Sequence, residues 1–277
     1  MEKGEGMRRS VVLACGAVAA LVLSVAASGI TFGENDNGRH PFVGALVGDL
    51  HGTTFPLCTG TLMSPTVFLT AGHCFEETIP LGFTNFGVTF DEVVAADADP
   101  GVDPGVTIHR GAARVHPDWE FPSLGGGNSD PSDVAVLLLD EPVSMSQYGQ
   151  LPTQGLLDGI DKKTARFTTV GYGAVRDDKT KGPASLGSES RRKLAMQDLL
   201  SLRKAWVLFS MNPSTGNGGT CFGDSGGPHF LGAGSSETPI VVALTVTGDR
   251  YCRATDQDYR LDTPHARAFL GDFLTLP

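Results

Sequence analysis

Apolar runs along this chain are short, and turn residues cut them apart. Phe42–Val47, Thr66–Thr70, Phe83–Phe90, Val134–Leu139, Phe167–Val170 and Ile240–Val246 are rich in Val, Ile, Leu, Phe and Thr. Clusters of Gly, Pro, Asn and Asp lie between them. Many short strands with turn signals predict an all-β sandwich or barrel. The 36 glycines have no three-residue period, which excludes collagen and leaves them to serve tight turns. At 277 residues and 40% hydrophobic content the chain can bury a sizeable core, and it is too apolar for intrinsic disorder. The end of the chain reads differently. Ala266, Phe269, Leu270, Phe273 and Leu274 repeat at helical spacing, with Thr263 to cap the helix and Pro264 at its first position. The segment Arg191–Phe209 fits helix and strand equally.

Residues 1–29 form a separate unit. Lys3, Arg8 and Arg9 precede an apolar run from Val11 to Val25, and Ala26, Ala27, Ser28 and Gly29 follow. A basic start, a short apolar core and a small-residue exit make a secretory signal peptide, with cleavage after Ala27 or Gly29. The run is shorter than the ~20 residues of a spanning helix. Export predicts a secreted protein with no membrane attachment after cleavage. Removing three basic and two acidic residues leaves 18 basic and 29 acidic, a net charge of −11. That balance argues against nucleic acid as a partner. Cys15 leaves with the signal, and Cys58, Cys74, Cys221 and Cys252 remain. Four cysteines in an exported chain predict two disulfides, and the count alone leaves three pairings open. No clear linker divides residues 30–277; a boundary between subdomains is placed near 141–155.

Three local patterns carry chemistry. Leu69-Thr70-Ala71-Gly72-His73-Cys74 supplies a base after an apolar strand. Ser132-Asp133-Val134-Ala135-Val136-Leu137-Leu138-Leu139 places a carboxylate at the mouth of a buried strand. Cys221-Phe222-Gly223-Asp224-Ser225-Gly226-Gly227-Pro228 sets a serine in a glycine-rich turn. A serine hydroxyl needs a neighbouring base to become a useful nucleophile. His73 can take and return its proton near neutral pH. Asp133 can accept from the other ring nitrogen, and the N–H groups of Gly223 and Ser225 can meet a developing oxyanion.

In the order His, Asp, Ser, these patterns resemble the trypsin/chymotrypsin family of serine peptidases. Gly171-Tyr172-Gly173 is similar to that family's Gly-Trp-Gly turn, and Tyr259-Arg260-Leu261-Asp262-Thr263 to its C-terminal end. The resemblance covers residues 30–277. It implies two packed six-stranded antiparallel β-barrels with a short C-terminal helix, and catalysis by His73, Asp133 and Ser225 with Gly223 and Ser225 as the oxyanion hole. It implies the bridges Cys58–Cys74 and Cys221–Cys252. It implies that a freed amino terminus at Ile30 pairs with Asp224. It also implies a specificity pocket built from Gly219, Thr220, Thr245 and Thr247. Gly219 stands where trypsin-type enzymes place an aspartate, so an uncharged residue is expected before the scissile bond. The expected function is secreted endopeptidase activity on protein or peptide substrates, by a monomer, without metal or organic cofactor. The alternatives are a catalytically silent binding protein on the same scaffold, or an esterase using the same triad. His40, His51, His109, His116, His229 and His265 show no ligand spacing and are expected to be ordinary surface or core residues. Trp119 and Trp206 are expected to pack rather than to bind. Glu76, Glu77, Asp91 and Glu92 are read as a solvated acidic face.

Overall fold

The computed structural model describes residues 30–96, 101–120, 130–175 and 190–277. The expected signal segment 1–29, with both cleavage positions, lies outside these residues. No helix among the described residues is long and apolar enough to cross a membrane.

Strand β1 (Glu34–Asn35) precedes the first barrel. That barrel is built from β2 (Val43–Leu50), β3 (Thr53–Ser64), β4 (Val67–Thr70), β5 (Thr84–Thr89), β7 (His109–Val115) and β8 (Ala135–Leu139). It closes in the order β2-β3-β4-β8-β7-β5, and β5 returns to β2. Two short strands outside it, β6 (Val93–Ala95) and β10 (Ser190–Arg191), pair with each other. The second barrel uses β9 (Arg166–Gly171), β11 (Lys193–Leu202), β12 (Trp206–Ser210), β13 (Pro228–Leu231), β14 (Val241–Gly248) and β15 (Thr255–Arg260). Its order is β11-β12-β15-β14-β13-β9, closed by pairing of β9 with β11. All these pairs are antiparallel. The two closed six-stranded barrels and the short helix at the end are the architecture that the motifs imply.

Closure removes the exposed edges that a sheet of this size would otherwise present. It also sends alternate side chains inward. Leu46, Leu62, Phe68, Leu69, Val88, Val136 and Leu137 on these strands are all fully buried, so the barrel is covered outside as well as filled within. Phe167, Val207, Phe209 and Val242 form a second cluster. The ambiguous segment resolves as strand, occupied by β11 and β12. Helix α1 (His73–Glu76) leaves β4, and α2 (Pro264–Leu270) ends the fold. Thr263 caps α2 by accepting from the Ala266 amide at 3.2 Å. Ala266, Phe269 and Leu270 are buried on one face. The apolar spacing runs on to Leu274, but the helix stops ahead of Gly271, a poor helix former. Between β8 and β9 the chain runs through residues 140–165 without a long element.

Candidate active site

His73 stands at the first position of α1, where the chain turns off β4. Asp133 lies just ahead of β8, the hydrogen-bonded neighbour of β4, so ladder pairing carries both residues to one end of the barrel. The carboxylate of Asp133 is fully buried and has three donors. His73 Nδ1 lies 2.8 Å from Oδ2, the His73 amide donates to Oδ1 at 2.8 Å, and Trp119 Nε1 donates to Oδ1 at 3.2 Å. Burial alone would raise the Asp133 pKa, but the His73 charge and these donors outweigh it and hold the carboxyl below its usual value. Burial likewise opposes a charged His73, and the facing carboxylate outweighs it, so the imidazole pKa is raised above 6.5. This arrangement keeps the proton on Nδ1 and leaves Nε2 as the basic nitrogen. The close approach depends on Gly72. A Cβ there would lie 2.6 Å from Trp119 Cδ1 and 3.2 Å from Asp133 Oδ1.

Ser225 comes from the loop ahead of β13. The first disulfide brings it to His73. Cys58 is bonded to Cys74, the residue after His73, and the amide of Thr59, the residue after Cys58, donates to the Ser225 carbonyl at 2.8 Å. Thr59 Oγ1 also donates to the Gly223 carbonyl at 3.1 Å. Ser225 Oγ and the imidazole are not hydrogen-bonded to each other in this structure; such bonds often tighten only once substrate is bound. Gly223 has φ +95° and Gly226 φ +75°, and a Cβ on Gly226 would lie 2.1 Å from Thr70 Oγ1. The turn that carries the serine therefore requires glycine on both flanks. The second disulfide joins Cys221 to Cys252, so both bonds follow the pairing that the resemblance implies.

Asp224 is fully buried beneath the serine loop. Gly173 and Cys221 each donate an amide to its carboxylate at 2.8 Å, and the Ile30 amide donates as well. Burial still pushes its carboxyl up to about 7. Gly171 and Gly173 form the cradle, since a Cβ on Gly171 would meet Asp224 Oδ1 at 2.0 Å. Thr31 pairs with Gly219 through both backbone groups, at 2.7 and 2.9 Å, which fixes Ile30 beside Asp224.

A cavity of about 300 Å³ opens beside Ser225. Thr220, Thr245 and Thr247 line it, together with Val246 and the Cys221–Cys252 bridge. Gly219 does not line it. It lies behind, where a Cβ would meet Gln197 Nε2 at 2.5 Å and Met211 Cγ at 2.6 Å. Asp256, fully buried at the same place, accepts from Gln197 Nε2 at 2.8 Å and from the Thr220 hydroxyl. Burial pushes its carboxyl up to about 7. Asp249 lines the mouth, but its oxygens accept backbone amides of Tyr251, Arg253, Ala254 and Thr255.

Two features of the site have no local signature in the sequence. Trp119 is a donor to Asp133 as well as a packing residue, and only the tertiary contact reveals it. His40 is buried between Asp36 and Glu237, at 2.5 and 2.6 Å.

Residues 31–268 match the Trypsin family model. Phenoloxidase-activating factor 3 of Holotrichia diomphalia is 28% identical over 201 residues, which is 65% of this chain and 53% of that protein. Brachyurin of Leptuca pugilator is 28% identical over 188 residues, 62% of this chain and 69% of its own length. Chymotrypsin-like elastase family member 1 of Canis lupus familiaris is 27% identical over 186 residues, 64% of this chain and 65% of its own. The matches thus span between about half and two thirds of these relatives.

Proposed function

The chain belongs to the trypsin family of serine proteases, and from that premise we propose that it is a secreted serine endopeptidase acting through an acyl-enzyme. The observation that carries the reading is the contact at 2.8 Å between His73 Nδ1 and a fully buried Asp133 carboxylate. That contact fixes the tautomer a general base needs. Ser225 Oγ attacks the substrate carbonyl while His73 Nε2 takes its proton. Asp133 stabilises the imidazolium. The amides of Gly223 and Ser225 hold the oxyanion, each such donor contributing about 3–4 kcal/mol to the transition state. His73 then returns the proton to the leaving amine, and water repeats the sequence on the ester. The step needs no metal or organic cofactor.

The same reading assigns residues 1–29 to a signal peptide and 30–277 to a monomeric peptidase domain whose two barrels meet near 141–155. Cleavage before Ile30 supplies the ammonium that pairs with Asp224. The pocket walls of Thr220, Thr245 and Thr247 favour an uncharged residue before the scissile bond. Its inner carboxyl, Asp256, sits behind the wall with its oxygens already engaged. An organofluorophosphate label tests the assignment. The folded wild-type protein takes up one label per chain, and Ser225→Ala takes up none. Unlabelled wild type, or label that persists in the variant, overturns it.

A further inference from the structure

Three groups of potential metal-binding side chains form among the described residues. Cys58, His73 and Cys74 are one, but its sulfurs are spent on their disulfide. His229, Asp256 and Asp258 are another, fully buried, with His229 already shared between Gln197 and Thr245. The third, His116, Asp118 and His265, opens to solvent. Its ligand atoms all lie within 4.8 Å of one another.

We propose that His116, Asp118 and His265 form a zinc site that ties the segment leading into Asp133 to the C-terminal helix. His265 Nε2 lies 3.4 Å from Asp118 Oδ2. Two donors at ~2.0–2.1 Å from a tetrahedral ion are about 3.4 Å apart, so this pair is already spaced for zinc. On the far side of the ring, His265 Nδ1 lies 3.0 Å from Asp130 Oδ2. A carboxylate holding the outer nitrogen is the usual support of a zinc-bound imidazole, and it leaves the Nε2 lone pair facing Asp118. His116 Nδ1 accepts the Asp118 amide at 3.1 Å, so that nitrogen carries its lone pair. Zinc takes that lone pair in place of the amide. The buried His116 ring stands edge-on to His265, with centroids 4.5 Å apart. Asp118, 71% exposed, is free to rotate onto the ion. Two imidazoles and one carboxylate, with an open side for water, form a donor set suited to zinc.

Sequence spacing could not reveal this group, because His265 and Asp118 stand 147 positions apart. The sequence alone therefore predicts no metal here. The site lies next to the reactive centre without belonging to it. Trp119, beside Asp118, donates to Asp133, and Asp130 precedes Asp133 by three residues. An ion here would hold both flanks of that carboxylate. The inference does not depend on the peptidase reading.

The test uses the full secreted chain carrying Ser225→Ala, which prevents self-digestion, after EDTA treatment. Zinc is titrated in competition with a chromophoric chelator, and cobalt is used as a spectroscopic probe. The expected result is one ion per chain, a tetrahedral cobalt spectrum and a higher Tm with zinc. Asp130→Asn weakens binding about 10–100-fold, as loss of an outer carboxylate does. His265→Ala and Asp118→Asn abolish the cobalt spectrum while keeping the metal-free Tm, and His73→Ala leaves it intact. Binding that is no tighter than in His265→Ala, or that disappears in His73→Ala, overturns the assignment.

Discussion

Cleavage ahead of Ile30 would change one donor to Asp224 from an amide to an ammonium, and the size of that change would follow from the burial of the carboxyl. With amides from Gly173, Cys221 and Ile30 as donors, burial pushes it from 3.8 up to about 7. A carboxyl whose folded pKa exceeds its unfolded value binds its proton more tightly in the native state. Its contribution is therefore most favourable below about pH 4 and is lost as pH rises towards 7. A shift of that size corresponds to about 4 kcal/mol. Removing one partner of a buried ion pair costs a similar amount, about 3–5 kcal/mol. Two forms of Ser225→Ala separate the states, one beginning at Ile30 and one retaining residues ahead of it. The Tm of the longer form should fall across pH 4–7 by roughly 8–16 °C more than that of the Ile30 form, at about 2–4 °C per kcal/mol. Both forms share the fall due to buried Asp256, whose carboxyl is also pushed up to about 7. In otherwise wild-type protein beginning at Ile30, Asp224→Asn should lower kcat/KM by about 10²–10⁴-fold on a chromogenic peptide. Superimposable pH profiles of the two forms, or an unchanged kcat/KM in Asp224→Asn, would refute the pairing.

Other expectations follow from the same geometry. Because the Asp133 carboxylate raises the His73 pKa above 6.5, the acid limb of kcat/KM should fall above that value. Asp133→Asn should move the limb down and lower kcat about 10⁴-fold, and a variant with wild-type kcat removes Asp133 from the mechanism. Replacing Cys58 and Cys74 together by Ala opens a loop with a sequence separation of 16. The loss should be about 3 kcal/mol in a denaturant titration, and a loss near zero argues that the bridge constrains nothing. Gly219→Asp should destabilise the protein and fail to confer cleavage after Arg or Lys, because its Cβ meets Gln197 and Met211. Efficient cleavage after basic residues by that variant contradicts the packing argument.

The parts of the fold legible in the sequence are those whose signal is local. Val67–Thr70 and Ala135–Leu139 are continuous apolar runs, and the motifs that hold His73 and Asp133 sit at their ends. The C-terminal helix shows both its cap and its apolar face within a few residues. The strands that went unread are polar or covered on both sides. Thr255–Arg260 contains Asp256 and Asp258 in alternation with Gln257, a polar run without the apolar signal of a strand, yet both carboxyls are fully buried. Lys193–Leu202 pairs with β9 on one side and β12 on the other and keeps Lys193, Leu194 and Ala195 buried in succession. Strict alternation, the usual mark of a strand, is therefore lost where that barrel closes.

The candidate site divides in the same way. His73, Asp133 and Ser225 each announce themselves by their immediate neighbours, but what orders them is distant in sequence. Thr59 reaches the Ser225 carbonyl, Trp119 reaches Asp133, and Ile30 reaches Asp224. Each of these contacts puts an N–H donor on a carbonyl or a carboxylate, and none changes the local pattern around the residue it supports. A sequence motif can therefore point to the candidate reacting groups. The donors that orient them become visible only when the barrels close and the disulfides draw their loops together.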